Sequence, residues 1–293
     1  MDCKQCPRQC GADRTAKTGF CGETETMRIA RAAPHMWEEP CISGKNGSCT
    51  VFFSGCGLRC VYCQNYRVAE SEIGEKVTGE QLLRIFFELR DQGVHNINLV
   101  TASHFTSQLV PVLEQAKAHG LGIPLLWNSS GYELPDTLKL LDGLIDIYLP
   151  DFKYIRSDTA ARYSHAPDYP DIAKAALAEM FRQRGAQRFG ADGMMQSGVQ
   201  VRHLVLPGHA QEARQVLYYL HCTYGERIGV SVMRQYTPMP QVQDDPLLSR
   251  RVTEQEYHSV LRYAELIGME HLLTQTGEAA DESFIPEFGG KIS

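Results

Sequence analysis

The chain has 293 residues. Its 43% hydrophobic and 22% charged content is that of a globular protein, with ample length for a large core. Twenty-nine Lys and Arg against 35 Asp and Glu leave a formal charge of −6, which argues against nonspecific nucleic-acid binding or adsorption to an anionic membrane. No apolar run approaches the ~18 residues of a spanning helix, and Met1 to Cys6 lacks the apolar stretch of a signal peptide, so a cytoplasmic protein is expected.

Residues 1–40 form a Cys-rich segment with turn signals such as Thr18-Gly19 and no long hydrophobic period. Nine of the ten cysteines lie between Cys3 and Cys63, and only Cys222 falls outside. A disulfide framework suits short exported chains, so in a reducing compartment this crowding points to metal or redox chemistry. Cys3, Cys6, Cys10 and Cys21 supply four thiolates, enough for tetrahedral zinc or for a closed iron–sulfur cluster. Cys41 and Cys49 match neither this group nor the next.

From residue 49 the rhythm changes to short apolar strands alternating with helical stretches. Cys49 to Phe53 reads as a strand. Thr78 and Gln81 make a capping box, followed by apolar residues at helical spacing and closed by Gly93. Further strands are expected at 96–100, 123–127, 144–149, 199–206 and 228–235. Helices are expected at about 109–119, 134–141, 173–184, 212–222 and 254–267. Six βα units in series imply an α/β protein with a parallel sheet, either doubly wound or closed toward a barrel. Residues 41–275 are therefore one βα domain, and 276–293 an extended acidic tail.

Directly after the first strand stands Cys56-x3-Cys60-x2-Cys63. At the C-terminal end of a barrel strand, this is where ligands bind. Three thiolates on a four-iron cubane leave one iron open for a substrate or cofactor. The same spacing also fits a buried stripe on one helix face, or zinc with a fourth ligand.

The segment Cys56-x3-Cys60-Val61-Tyr62-Cys63 resembles the radical S-adenosylmethionine (SAM) enzymes, including the aromatic residue before the last cysteine. Within them the chain is most similar to a pyruvate formate-lyase activating enzyme-like branch. That likeness extends through Cys6-Pro7-Arg8-Gln9-Cys10-Gly11, Trp37 to Gly44, Cys63-Gln64-Asn65-Tyr66, Tyr148 to Tyr154 and Arg202 to Gly208. The resemblance implies a partial (β/α)6 TIM-type barrel with a Cys-rich N-terminal extension. It also implies a [4Fe–4S] cluster on Cys56, Cys60 and Cys63, reductive cleavage of SAM to a 5′-deoxyadenosyl radical, and hydrogen abstraction from substrate. A one-electron donor of flavodoxin or ferredoxin type is the partner it implies, with a protein or peptide as one substrate class and a small molecule as the other. A non-enzymatic zinc-thiolate protein is the remaining alternative.

Superfamily members often carry Gly-Gly-Glu after the second barrel strand to meet the SAM amino group. This chain has Val100-Thr101-Ala102-Ser103-His104 there, where the hydroxyls of Thr101 and Ser103 can accept from an ammonium or cap a helix. Asn128, Asp151, Lys153, Arg202 and Gln235 stand at strand ends and are expected to converge above the cluster. Lys153 or Arg202 can pair with the SAM carboxylate, or with an acidic neighbour across the barrel mouth. Gln235 and Tyr236 resemble the segment that meets adenine or ribose, and Tyr62 packs on adenine or plugs the core. The N-terminal four cysteines are expected to hold a second iron–sulfur cluster or zinc.

Overall fold

The computed structural model describes residues 3–275 and Phe288. The tail expected over 276–293 lies otherwise outside the described residues.

The chain enters the sheet earlier than its sequence suggests. β1 (Arg28–His35) pairs antiparallel with β2 (Ser48–Phe53), so the Cys-rich segment runs into the sheet before residue 40 instead of standing apart from it. Between them α1 (Pro40–Ser43) makes one turn. After α2 (Tyr66–Ala69), the two-residue β3 (Glu75–Lys76) pairs with β1 at the sheet edge. Then the βα rhythm takes over: α3 (Gly79–Asp91), β4 (Ile97–Val100), α4 (Thr106–Ala118), β5 (Leu125–Ser129), α5 (Pro135–Lys139) and β6 (Ile147–Pro150). α6 (Ser157–Ser164) and α7 (Tyr169–Arg184) follow, then β7 (Arg188–Phe189), β8 (Met195–Leu204), α8 (Ala210–Tyr224), β9 (Gly229–Met233), α9 (Glu254–Leu266) and β10 (Leu272–Thr274).

The sheet order is β10-β9-β8-β6-β5-β4-β2-β1-β3, with β7 on β8. From β2 to β10 every neighbouring pair on this path is parallel. The six expected βα units are present, and the fold is the expected α/β partial barrel. β10 is a further parallel strand beyond the sixth unit. The capping box of α3 forms as read: Gln81 N donates to Thr78 Oγ1 at 3.2 Å and Thr78 N to Gln81 Oε1 at 2.8 Å. Thr253 and Glu256 build a second one on α9.

Two apolar layers separate the faces of the sheet. Outside, Leu99, Leu125, Trp127 and Tyr148 pack with helix residues such as Phe86, Leu113 and Leu177, in strands buried on both faces as a parallel sheet requires. Inside, Ile42 of α1 packs on Leu126, Ile147, Leu149 and Met195. Strand side chains alternate, so Asn128 shares the inner face with Leu126. α1 therefore plugs one end of the barrel, and the strand C-termini open at the other.

Candidate active site

The loop after β2 is shaped by glycine and by the segment behind it. Gly55 has φ +84°, and a Cβ there would stand 2.6 Å from Glu23 Cγ and 2.7 Å from the Cys21 carbonyl oxygen. Only glycine accepts both the conformation and the approach. Cys56 N donates to Cys21 O at 3.2 Å, so the loop is pinned to the N-terminal cysteines. Further along, Val61 N donates to Tyr163 O at 2.9 Å and Cys63 N to Cys60 O at 3.1 Å.

Cys56, Cys60 and Cys63 line one wall of a cavity of about 430 Å³. Their sulfurs are provided with donors. Leu58 N donates to Cys56 Sγ at 3.3 Å, and Ser164 Oγ donates to Cys60 Sγ at 3.0 Å. Burial raises the Cys60 thiol, while the Lys153 ammonium works against it. Burial and then the neighbouring Cys60 and Cys56 thiolates push Cys63 up to about 12. Three thiolates crowded in a buried loop are costly on their own, and a cationic iron centre offsets that cost. The donor set therefore fits an iron–sulfur cluster.

Asn128, Asp151, Lys153, Arg202 and Gln235 line the same cavity, together with Tyr62, Thr101 and Tyr236. Their partners differ. Lys153 Nζ sits 2.6 Å from Asp151 Oδ2, an ion pair beside the thiols. Arg202 does not wait for a ligand: its guanidinium holds Glu39 at 2.8 and 2.6 Å and also pairs with Glu38. The backbone oxygen of Gln235 accepts from Gln64 Nε2 at 3.1 Å, and its Oε1 accepts from Gln275 Nε2 at 2.7 Å. The Tyr236 hydroxyl donates to Leu248 O at 2.6 Å. Tyr62 is 6% exposed, edge-on to Tyr163 and Tyr236, and its hydroxyl joins those of Tyr154 and Ser164 in a chain ending at Cys60 Sγ. It is a core plug with one edge on the cavity.

Thr101 has φ +58°, a strained conformation for a β-branched residue, and its N–H donates to Asn128 O at 2.9 Å. Ser103 is not brought to the cavity. Its hydroxyl donates to Glu133 Oε1 at 2.6 Å, beside Trp127 Nε1 at 2.7 Å and Ser129 Oγ at 2.5 Å on the same carboxylate. His104 lies behind the cluster loop, Nε2 2.7 Å from Ser54 O. The residues that sequence reasoning left without a role are Glu38, Glu39, Gln64, Ser164 and Gln275. The only sequence signal for the first two was the Trp37 to Gly44 likeness.

The N-terminal cysteines gather on turns. Cys3 N donates to Ala12 O at 3.0 Å, Gly11 N to Cys3 O at 3.1 Å and Gln9 N to Cys6 O at 2.9 Å. The Cys10 and Cys21 sulfurs both approach the place of a Gly19 Cβ, at 3.4 and 3.6 Å. Burial, with like charge on Cys21, Cys3 and Cys10, pushes Cys6 up to about 11. Arg8 clamps this segment to the cluster loop, donating to Gly57 O at 2.8 Å, Ser164 O at 2.8 Å and His165 O at 2.5 Å. Among the described residues no three His, Cys, Asp or Glu side chains close on a single ion. A cubane spreads its ligands over four irons and needs no such closure.

The chain combines a mostly parallel sheet with three thiols that line a cavity just after its first parallel strand. The radical SAM superfamily pattern matches residues 50–208, more than half of the chain, and the chain belongs to that superfamily. The family brings with it a [4Fe–4S] cluster and SAM as cofactors. An uncharacterised protein of Methanocaldococcus jannaschii is 27% identical over 271 residues, covering 90% of this chain and 74% of that one. A pyruvate formate-lyase-activating enzyme of Clostridium pasteurianum is 28% identical over 122 residues, 40% of this chain and 50% of that one. Methylornithine synthase shares the fold with a TM-score of 0.54 at 16% identity, over 78% of this chain and 70% of that one. Streptococcus suis SuiB bound to its precursor peptide SuiA does so with a TM-score of 0.51 at 12% identity. The match covers 76% of this chain and about half, 47%, of SuiB. Among the described residues no helix is long and apolar enough to cross a membrane.

Proposed function

We propose that this chain abstracts a hydrogen atom from a peptide or protein substrate held in the barrel cavity, in the manner of an activating enzyme. The observation that carries the reading is the convergence of three thiols and the polar ends of successive strands on one cavity. A [4Fe–4S] cluster on Cys56, Cys60 and Cys63 with SAM beside it would, given one electron by a reductant, supply the cavity with hydrogen-abstracting chemistry for a substrate C–H bond.

The protein's part is binding, orientation and exclusion of water. Cys56, Cys60 and Cys63 hold the cluster, and Leu58 N–H and the Ser164 hydroxyl stabilise two of the thiolates. Lys153 pairs with the SAM carboxylate and Asp151 accepts from its ammonium, exchanging their mutual contact for the ligand's two charges. Thr101 stands where the second strand ends, its carbonyl and hydroxyl able to accept from the same ammonium. Asn128, Gln235 and the edges of Tyr62 and Tyr236 meet the ribose and adenine. A flavodoxin- or ferredoxin-type protein supplies the electron. The N-terminal cysteines hold a second metal centre, an iron–sulfur cluster or zinc. The likeness to the Clostridium activating enzyme and the fold shared with peptide-bound SuiB support a peptide substrate; the fold of methylornithine synthase keeps a small molecule as the competing outcome.

The test is anaerobic incubation of the reconstituted full chain with SAM and dithionite, then with deuterated cell extract split into protein and small-molecule fractions. Slow 5′-deoxyadenosine formation is expected without substrate, and deuterium in it with the protein fraction. Label from the small-molecule fraction alone would overturn the peptide reading. A SAM-binding protein that never releases deoxyadenosine would overturn the enzyme.

A further inference from the structure

The hydroxyls of Tyr62, Tyr154 and Ser164 form a line that ends on one of the three thiols. Tyr62 Oη lies 2.7 Å from Tyr154 Oη, Tyr154 Oη 2.7 Å from Ser164 Oγ, and Ser164 Oγ 3.0 Å from Cys60 Sγ. Resting on the assignment of the cluster to Cys56, Cys60 and Cys63, we propose that this line sets the cluster's reduction potential. It feeds hydrogen-bond donation into Cys60 and makes one-electron reduction easier.

Proton counting fixes the direction of the line. Each hydroxyl brings one proton, and there are three gaps to fill. A thiolate on iron only accepts, so the last gap takes the Ser164 proton. Tyr154 must then donate to Ser164, and Tyr62 to Tyr154. With Tyr154 donating to Tyr62 instead, lone pairs would face each other across the 2.7 Å between Tyr154 and Ser164. All three protons therefore point toward the sulfur, and each bond polarises the next. Tyr154 and Ser164 are fully buried, which keeps bulk water from the line.

The geometry is held from both sides. The bond from Val61 N to Tyr163 O ties the cluster loop to α6, and Cys60 and Ser164 are the chain neighbours of that bond. His165 closes α6 in the left-handed conformation, φ +51°. Arg8 grips the same turn through the carbonyls of Ser164 and His165.

The sulfurs are not served alike. Cys56 takes its bond from the backbone N–H of Leu58, which a change of side chain leaves in place. Cys60 takes its bond from a side chain, so the choice of residue there controls it. Reduction adds one electron to the cluster and negative charge to its thiolates; no bond breaks and no proton leaves. A donor aimed at a sulfur stabilises the reduced form more than the oxidised one. Ser164, Tyr154 and Tyr62 act through Cys60 and in this role are positioning residues.

The test is spectroelectrochemistry of the reconstituted full chain, with the reduced cluster read by electron paramagnetic resonance. SAM is left out, so that the Lys153–Asp151 pair beside the thiols is the same in every variant. Ser164→Ala should make reduction at least tenfold less favourable, a fall of about 59 mV for one electron. Tyr154→Phe should cost severalfold and Tyr62→Phe less. Ser164→Thr, which keeps the hydroxyl, should stay within twofold of wild type. Iron content and circular dichroism should match wild type throughout.

An unchanged potential in Ser164→Ala with its iron retained would overturn the proposal and leave the cluster assignment standing. A fall in Ser164→Thr as large as that in Ser164→Ala would also overturn it, because packing and not the hydroxyl would then set the potential. If Ser164→Ala loses its iron, Tyr154→Phe decides, since it keeps both the ring and the Ser164 hydroxyl; an unmoved potential there overturns the proposal. Equal iron in wild type and in the Cys56, Cys60 and Cys63 triple Ala variant would remove the cluster assignment and this inference with it.

Discussion

The chain's two groups of cysteines lie against each other yet stand on different foundations. Cys56, Cys60 and Cys63 follow β2, a strand whose six residues are all buried and which is paired on both sides. The loop they sit on is held by a core that exists without any metal. Cys3, Cys6, Cys10 and Cys21 sit on turns, in a segment where Ala12, Cys21 and Met27 are the buried apolar residues among those described. Such a segment buries too little to stay ordered by itself. It relies on whatever its sulfurs bind and on the grip of Arg8 and Arg14 on the barrel. The difference teaches which site carries structure and which carries chemistry. On the proposed reading the barrel supports its cluster, whereas a metal on Cys3, Cys6, Cys10 and Cys21 would support the N-terminal segment. Three thiols facing a cavity leave room for a ligand; four thiols would supply a full ligand set.

The largest expected effect comes from removing each set in turn. Replacing Cys56, Cys60 and Cys63 with Ala should remove about four irons per chain, as one cubane holds four, and abolish deoxyadenosine, while circular dichroism keeps the barrel's signal. Metal at the N-terminal group should survive, and whether it is iron or zinc identifies that centre. Replacing Cys3, Cys6, Cys10 and Cys21 should do the opposite: the first cluster stays, and limited proteolysis cuts before Met27. Unchanged iron in the triple variant would sink the cluster assignment, and an intact, protease-resistant N-terminus in the quadruple variant would sink the contrast.

Much of the barrel side of this comparison was legible. Each βα unit announces itself through local periodicity and caps, and the thiol spacing is a local pattern as well. What the sequence hid depends on distance along the chain. β1 contains one β-branched residue, Ile29, along with three alanines and Pro34; it is a strand because β2 offers it an edge. β5 runs two residues beyond the expected end at 127, so Asn128 and Ser129 belong to the strand. Ser103 looked equivalent to Thr101, but the chain turns through a 3₁₀ helix there and carries its hydroxyl to Glu133. Glu38 and Glu39 became visible only with Arg202, which lies 163 residues beyond Glu39. No spacing rule reaches that far.

Gly55→Ala tests whether the two regions depend on each other. The substitution puts a methyl group against Glu23 and the Cys21 carbonyl at a backbone conformation that disfavours it. Strain of this kind costs about 1–3 kcal/mol, and here the softer partner, the N-terminal segment, should give way. Faster proteolysis within the first 27 residues is expected, with lower iron occupancy at Cys56 and little change in barrel helicity. Unaltered proteolysis and iron would show that the contact between the two groups is incidental.

The smallest effect is a pH dependence at the seam. His104 sits between the regions: its ring meets Ser54 O behind the cluster loop, and Arg14 of the N-terminal segment donates to its carbonyl. Burial, with the Arg14 charge adding to it and the Ser54 bond opposing, lowers the ring from 6.5 to about 3. The folded protein therefore keeps His104 neutral at pH values where the unfolded chain protonates it. The unfolded state binds the extra proton below about pH 6.5, so the stabilisation is complete above that value and is lost as pH falls toward 3. At one unit below the unfolded value the loss is about 1.4 kcal/mol at most. Urea unfolding at pH 7.5 and 5.5 should show wild type weakening by roughly this amount, and His104→Gln, which has no proton to gain, should weaken less. Because the Arg14 contact runs through the same residue, acid should loosen the N-terminal segment before it unfolds the barrel. A variant with the wild-type pH slope would place the acid sensitivity elsewhere and leave the seam a passive contact.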